Sequence, residues 1–158
     1  MRRNDDDCAK ANEIAGAIVV SFHSSWQQKI RRSAFSVVLR KRIPTATHPQ
    51  RMYLHVNSPI GAICARAQIK EMRNISREDA LKLGDEINLS AENIINYVGN
   101  HALIGAYFLS SIEYAPCEAK YKEIQSKISY FPPQSYLSLS PQAENIISII
   151  CGYRAIVI

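Results

Sequence analysis

The side chains best equipped for chemistry in this chain are cationic. Lys29, Arg40, Lys41 and Arg42 form a group, with Arg31, Arg32 and Arg51 close to them in sequence. No aspartate or glutamate lies between Glu13 and Glu71, and that stretch carries nine lysines and arginines. The whole chain has a formal charge of only +5, so the remainder is net acidic. A one-sided positive field attracts polyanions and speeds their encounter. Guanidinium groups match phosphate oxygens in a planar fork and stack on bases. Trp26, the sole tryptophan, offers a stacking face for a base or caps the core. His23 polarises a ligand carbonyl or makes a structural hydrogen bond. Ser58, Gln134 and Ser135 fall in loops, where polar recognition groups collect. The nucleic-acid-binding set expected from the residues is therefore Lys29, Arg40, Lys41, Arg42, Arg51, Trp26, His23, Ser58, Gln134 and Ser135, and whether Arg40, Trp26, Ser58 and Gln134 line one cavity is the observation that tests it. The rival for Arg40 is an ion pair with Glu71 or Glu113.

Other chemistry is less well supplied. Cys8, Cys64, Cys117 and Cys151 and the histidines His23, His48, His55 and His101 are scattered and match no zinc-ligand spacing. Neither a metal nor a cofactor is expected. The cysteines read as small core hydrophobes in a reducing cytoplasm.

These side chains must be positioned by strands and short helices. Residues 1–13 read as a loose charged arm. Ala17 to Phe22 is an apolar strand. Ser24 and Ser25 each precede a glutamine by three residues, a capping-box pattern that opens a helix over 26–32. Phe35 to Arg42 alternates, with Phe35, Val37 and Leu39 on one face and Ser36, Val38, Arg40 and Arg42 on the other. Pro44 ends that strand. Met52 to Asn57 is a strand with Met52, Leu54 and Val56 inward, and 58–61 is a turn. Ile63 to Lys70 alternates Ile63, Ala65, Ala67 and Ile69 against Cys64, Arg66, Gln68 and Lys70. Ser76 caps a helix that Gly84 stops, and Ser90 caps another that ends at Gly99. Residues 102–114 return to strand. The paired prolines in 131–136 exclude regular structure. Ser140-Pro141 opens a last helix, and Tyr153 to Ile158 is an edge strand or a segment that pairs with a partner.

The length suits one domain. No apolar run approaches the roughly 18 residues of a membrane span, and Asp5-Asp6-Asp7 stands where a signal peptide would be basic. The expected class is α+β, a small mixed or antiparallel barrel with short flanking helices. Its divisions are 1–13 (arm), 14–139 (domain) and 140–158 (helix and tail packed on or beside it).

One family shares this order of pieces. Residues 21–30, Ser-Phe-His-Ser-Ser-Trp-Gln-Gln-Lys-Ile, followed by Leu39-Arg40-Lys41-Arg42, resemble the opening of ASCH domains, members of the PUA-like superfamily. Residues 53–59, Tyr-Leu-His-Val-Asn-Ser-Pro, resemble the family's strand ending in Ser-Pro. Gly61 to Ile69 resembles the strand after it, and 131–136 resembles a Pro-Pro-Gln-Ser-aromatic segment of one subgroup. The likeness spans about 17–139. It implies a PUA-like barrel and binding of RNA or a modified base. His23-Ser24 replaces the usual Lys-Pro. In the Gly-x-Lys-x-x-Glu-x-Arg motif, Ser33, Phe35 and Val38 replace the Gly, Lys and Glu, and Arg40 is kept. Some ASCH proteins are amidohydrolases of acetylated cytidine, and others act as ribonucleases. A hydrolase needs an activated nucleophile beside a base, which Phe35 and Val38 do not provide.

The expected function is therefore RNA or nucleotide binding in a basic cleft of a cytoplasmic, non-membrane protein. The alternative is a ribonuclease or modified-nucleoside amidohydrolase with a displaced catalytic set, drawn from Lys29 or Lys41 with His23. A third reading is a transcription or mobile-element regulator that acts through a protein partner or a homodimer formed by the C-terminal tail.

Overall fold

The computed structural model describes residues 16–153. The 1–13 arm and the tail beyond Tyr153 lie outside the described residues.

A single path of hydrogen-bonded strands organises the fold. The strands are β1 (Ala17–Phe22), β2 (Val37–Arg40), β3 (Arg51–Val56), β4 (Ala62–Ser76), β5 (Leu103–Leu109), β6 (Glu113–Lys120) and β7 (Leu137–Leu139). The path runs β2-β5-β4-β3-β1-β7, and β6 pairs with β4 beside it. β1 and β3 are parallel, and every other pair is antiparallel. The expected α+β class and mixed sheet are thus observed, but the sheet is curved and open instead of a closed barrel. Its curvature is visible in the core: Val20 and Phe22 of β1, Val38 of β2, Leu54 and Val56 of β3, Cys64 of β4 and Tyr107 of β5 meet in one buried cluster. Residues from both ends of the path touch only if the sheet wraps around them.

Helices fill the flanks. A single 3-10 turn, Ser24–Trp26, leads into α1 (Gln27–Arg31). α2 (Arg77–Lys82), α3 (Gly84–Ile87) and α4 (Ala91–Val98) cover the outer face of β2 and β5 through Val37, Leu39, Ile94 and Val98. α5 (Tyr121–Gln125) and α6 (Pro141–Cys151) cover the opposite face of β1 and β3 through Val19, Tyr53, Ile124 and Ile147. Among the described residues, no helix is long and apolar enough to cross a membrane.

Several expectations are corrected by local physics. The first helix is capped by His23, whose side chain accepts from the Ser25 amide, so Ser24 and Ser25 lie inside the turn instead of capping it. The second strand is only Val37–Arg40. Phe35 precedes it and packs in the inner core with Val38, while Val37 and Leu39 face the helices. The alternation expected over 63–70 is broken by a bulge at Ile63/Ala65. Ile63 faces α6, whereas Cys64, Ala65 and Ala67 all join the inner core. A bulge inserts an unpaired residue and resets which face its neighbours occupy. β4 continues to Ser76, well beyond the segment that alternation indicated, because it bends from one half of the sheet to the other. Residues 102–114 are split between β5 and β6 by Ser110–Ile112. Gly84 begins α3 instead of stopping α2, and the left-handed turn falls at Asn88 (φ 61°). The caps at Ser76 and Ser90 are as expected, and Ser140 caps the helix that Pro141 opens, each accepting from the amide three residues on. Of the 153–158 segment only Tyr153 is described: it is buried, and its hydroxyl donates to the Glu113 carbonyl at 2.7 Å.

α6 is held by a buried ion pair. Arg51 donates twice to Glu144, at 2.6 and 2.7 Å, and the Tyr53 hydroxyl donates to the same carboxylate at 3.0 Å. At the opposite edge, Gly105 pairs with Arg40. A Cβ on Gly105 would stand 2.7 Å from the Arg40 carbonyl oxygen and 2.5 Å from Ile43 Cγ2. Gly105→Ala is therefore expected to push β2 off β5 and to destabilise the protein by about 1–3 kcal/mol, measured by urea denaturation. A change within about 0.3 kcal/mol would mean that β2 is not closely seated.

Candidate nucleic-acid interface

Where the end of β1 faces β2 and α4, the structure opens a cleft of about 270 Å³. Arg40, the last residue of β2, forms part of its wall. Its Nη1 donates to the Leu39 carbonyl at 2.7 Å and its Nη2 to the Ser21 carbonyl at 2.8 Å. The guanidinium lies 4.7 Å from the Phe22 ring centroid. It pairs with no carboxylate among the described residues: Glu71 is taken by Arg73 at 2.8 Å and Glu113 by Arg66 at 3.5 Å. The expected alternative of an Arg40 ion pair with either glutamate is therefore not formed. Burial lowers the Arg40 pKa, opposed by Tyr97 and Tyr107, yet a guanidinium remains protonated in proteins. The cleft thus contains a partly desolvated positive charge that only neutral oxygens and rings face.

Aromatic and polar groups complete the cleft. Trp26 stands edge-on to Phe35, with centroids 5.1 Å apart and planes at 89°, so its ring is both core cap and cleft wall. Lys29 Nζ lies 4.4 Å from the Trp26 ring centroid and donates to the Asn88 carbonyl at 2.9 Å. Asn93 and Tyr97, four residues apart on α4, line the cleft together, as i,i+4 residues share a helix face. Lys41 Nζ lies 5.4 Å from the Tyr97 ring centroid. His23 Nδ1 accepts from the Ser25 amide at 3.1 Å, which leaves the proton of a neutral ring on Nε2 as a donor.

The other residues expected at the site are dispersed. Arg42 is exposed beyond the end of β2, so it does not share a strand face with Arg40. Arg51 is engaged by Glu144 under α6. Gln134 is exposed and Ser135 half-buried in the irregular segment before β7, and neither lines the Arg40 cleft. Ser58 lies on a different cavity, so Arg40, Trp26, Ser58 and Gln134 do not line one hollow. Nor does the acid-free run stay unpaired. Arg31, Arg51 and Arg66 meet Glu118, Glu144 and Glu113, carboxylates brought in by β6 and α6.

The second cavity, of about 630 Å³, holds His55, Asn57, Ser58, Lys120 and Lys122. His55 is only 1% exposed, and its Nδ1 lies 2.7 Å from the Tyr130 hydroxyl. Burial holds its pKa down at about 4. Ser21, its register partner on β1, has a buried hydroxyl without a hydrogen-bond partner among the described residues, as does Tyr107.

Sequence reasoning missed Asn93, Tyr97, Lys120 and Lys122. The i,i+4 pairing of Asn93 and Tyr97 beside the apolar Ile94 and Val98 was a readable signal. The lysines flank the start of a short helix and carry no pattern of their own.

No family model and no curated protein matches the sequence. Solved structures do match the fold. The ASCH protein of Zymomonas mobilis superposes with a TM-score of 0.73 at 18% identity, covering 81% of this chain and 90% of that one. A serine-to-alanine variant of that protein gives 0.74 at 17%, covering 84% and 95%. The N-terminal domain of McrB from Staphylothermus marinus gives 0.50 at 11%, covering 85% and 92%. The chain therefore has an ASCH-like fold, as the resemblance of its motifs implied.

The low pKa of His55 has a consequence for stability. Its ordinary value is about 6.5, so below that pH the unfolded chain takes up a proton that the folded protein refuses. The contribution is complete above about pH 6.5 and is lost as the pH falls toward 4. The loss between about pH 7 and about pH 5 is expected to be about 2 kcal/mol. It is measured as the difference in urea-unfolding free energy between wild type and His55→Gln at the two pH values. Equal pH dependence in both proteins would show that His55 titrates normally.

Proposed function

We propose that this protein binds a nucleotide unit of RNA in the Arg40 cleft, with the base between Trp26 and Tyr97 and an acceptor oxygen on Arg40. The observation that carries this reading is the partly buried Arg40 guanidinium, which faces carbonyls and rings but no carboxylate among the described residues. Burying a charge without a counterion is costly, so an incoming anion or carbonyl oxygen is favoured there. The volume argues for a small occupant. Pockets for drug-sized ligands span roughly 300–1,000 Å³, and about 270 Å³ suits a base or nucleoside. Two aromatic walls, each with a lysine over its ring, supply the stacking and charge used for single-stranded nucleic acid. The resemblance to ASCH domains, with their PUA-like relatives that bind RNA, supports the same reading.

Binding is favoured over turnover. The positions that match the motif Lys and Glu are Phe35 and Val38, both buried in the core, where they offer neither nucleophile nor base. The buried thiols Cys64 and Cys151 suit a reducing compartment such as the cytoplasm.

Trp26 is the only tryptophan, so its fluorescence reports occupancy directly. Uridine 5′-monophosphate and short single-stranded RNA are expected to quench it, with affinity that falls as salt rises. Tyr97→Ala is expected to weaken binding roughly tenfold, from about 1–3 kcal/mol of lost stacking. Arg40→Gln should weaken it further. Binding that survives both substitutions would move the ligand elsewhere, and the absence of any binding at low salt would remove the reading.

A further inference from the structure

From the arrangement of the two cavities we infer that the ligand is a single strand of several nucleotides, not a free nucleotide, and that the His55 cavity takes a backbone phosphate next to the base held at Arg40. This rests on the reading of the Arg40 cleft given above.

The two cavities are lined by residues at the same end of the β1–β3 pair. β1 and β3 run parallel, with Phe22 opposite Val56. The residues just past β1, His23 and Trp26, line the first cavity. Those just past β3, Asn57 and Ser58, line the second. The Asn57 amide donates to the Phe22 carbonyl at 2.9 Å, joining the two rims. Neighbouring strands lie about 5 Å apart, so the rims that carry Phe22 and Asn57 are adjacent.

The second cavity has the chemistry of an oxyanion site. Lys120 and Lys122 bring ammonium groups, and Asn57 and Ser58 bring an amide and a hydroxyl. Among the described residues no carboxylate lines it, although Glu118 stands 3.6 Å from Lys120 Nζ. His55 at its inner wall is uncharged at neutral pH because of its burial, so the positive charge comes from the lysines. Paired aromatic walls of the kind that flank the first cavity are lacking among the described residues: Tyr121 is the only aromatic side chain besides His55 on its lining, and its hydroxyl accepts from Gln125 at 2.6 Å. One cavity therefore suits a base and the other a phosphate, an alternation that a polynucleotide repeats along its length.

The test compares hexauridylate with uridine 5′-monophosphate on the full chain, wild type and Lys122→Glu. Lys122 is exposed on α5, so the variant is expected to fold, and its melting curve verifies that. Hexauridylate affinity should fall about tenfold while mononucleotide affinity stays the same. The slope of log affinity against log salt should shrink by roughly 0.7 for each phosphate that the variant no longer neutralises. Lys122→Gln should show the same pattern more weakly. Unchanged hexamer affinity in Lys122→Glu, or a parallel loss for the mononucleotide, would overturn the inference while leaving the Arg40 cleft in place. If wild type binds the hexamer but Trp26 fluorescence never responds to either ligand, the cleft reading fails instead.

Discussion

The sheet of this protein does not close on itself, and Arg40 spans the gap. β2 ends one side of the strand path, and β1 lies near the other, covered by β7 only along Ala17–Val19. The Phe22 carbonyl is taken by Asn57 on the β3 side. Because carbonyls alternate along a strand, the Ser21 carbonyl points the other way, toward the uncovered edge. The Arg40 guanidinium reaches it from β2 at 2.8 Å. A side chain thus occupies the place of a ladder hydrogen bond, and in doing so it puts a cation into the opening the sheet leaves between those strands. The same interaction closes the fold and charges the cleft, and Gly105 opposite Arg40 is what lets β2 sit close enough for it.

Around that seam, charge is sorted by tertiary contact and not by chain position. The acid-free run of the N-terminal half looks uniformly available in the sequence. In the folded protein, Arg31, Arg51 and Arg66 are engaged by Glu118, Glu144 and Glu113. They tie the C-terminal elements to the sheet, with the Arg51–Glu144 pair nearly excluded from water. Lys29, Arg40 and Lys41 are left around the cleft, next to Trp26, Phe22 and Tyr97. The division separates cations that hold the fold from cations that can meet a ligand. It leaves far fewer of the second kind than composition suggests.

The long β4 explains how one chain of this size makes two flanking cores as well as the inner one. It pairs with β3 and β6 at one end and with β5 at the other, turning from one half of the sheet to the other through bulges. Helices α2–α4 then cover one outer face, and α5 and α6 the other. Each of the two cavities lies beside one of these helical flanks, at the end of the parallel strand pair.

Local physics made much of this legible from the sequence alone. Apolar patterning placed β1 and β3, the Ser76, Ser90 and Ser140 caps placed their helices, and the paired prolines placed the irregular segment before β7. Together with the motif order, these were enough for the α+β class and the ASCH-like fold, because such signals act over a few residues and survive without knowledge of the partners. Trp26, His23, Arg40 and Lys29 were legible for the same reason, lying within one short stretch of strand, turn and helix. What tertiary structure alone decided were the things that depend on residues far apart in the chain. The bulge that turned Cys64 inward, the glutamates that consumed Arg31, Arg51 and Arg66, and the approach of Asn93 and Tyr97 to Arg40 all belong there. A contact across so many residues is chosen by how the whole sheet curves, and no local pattern of side chains encodes that curvature.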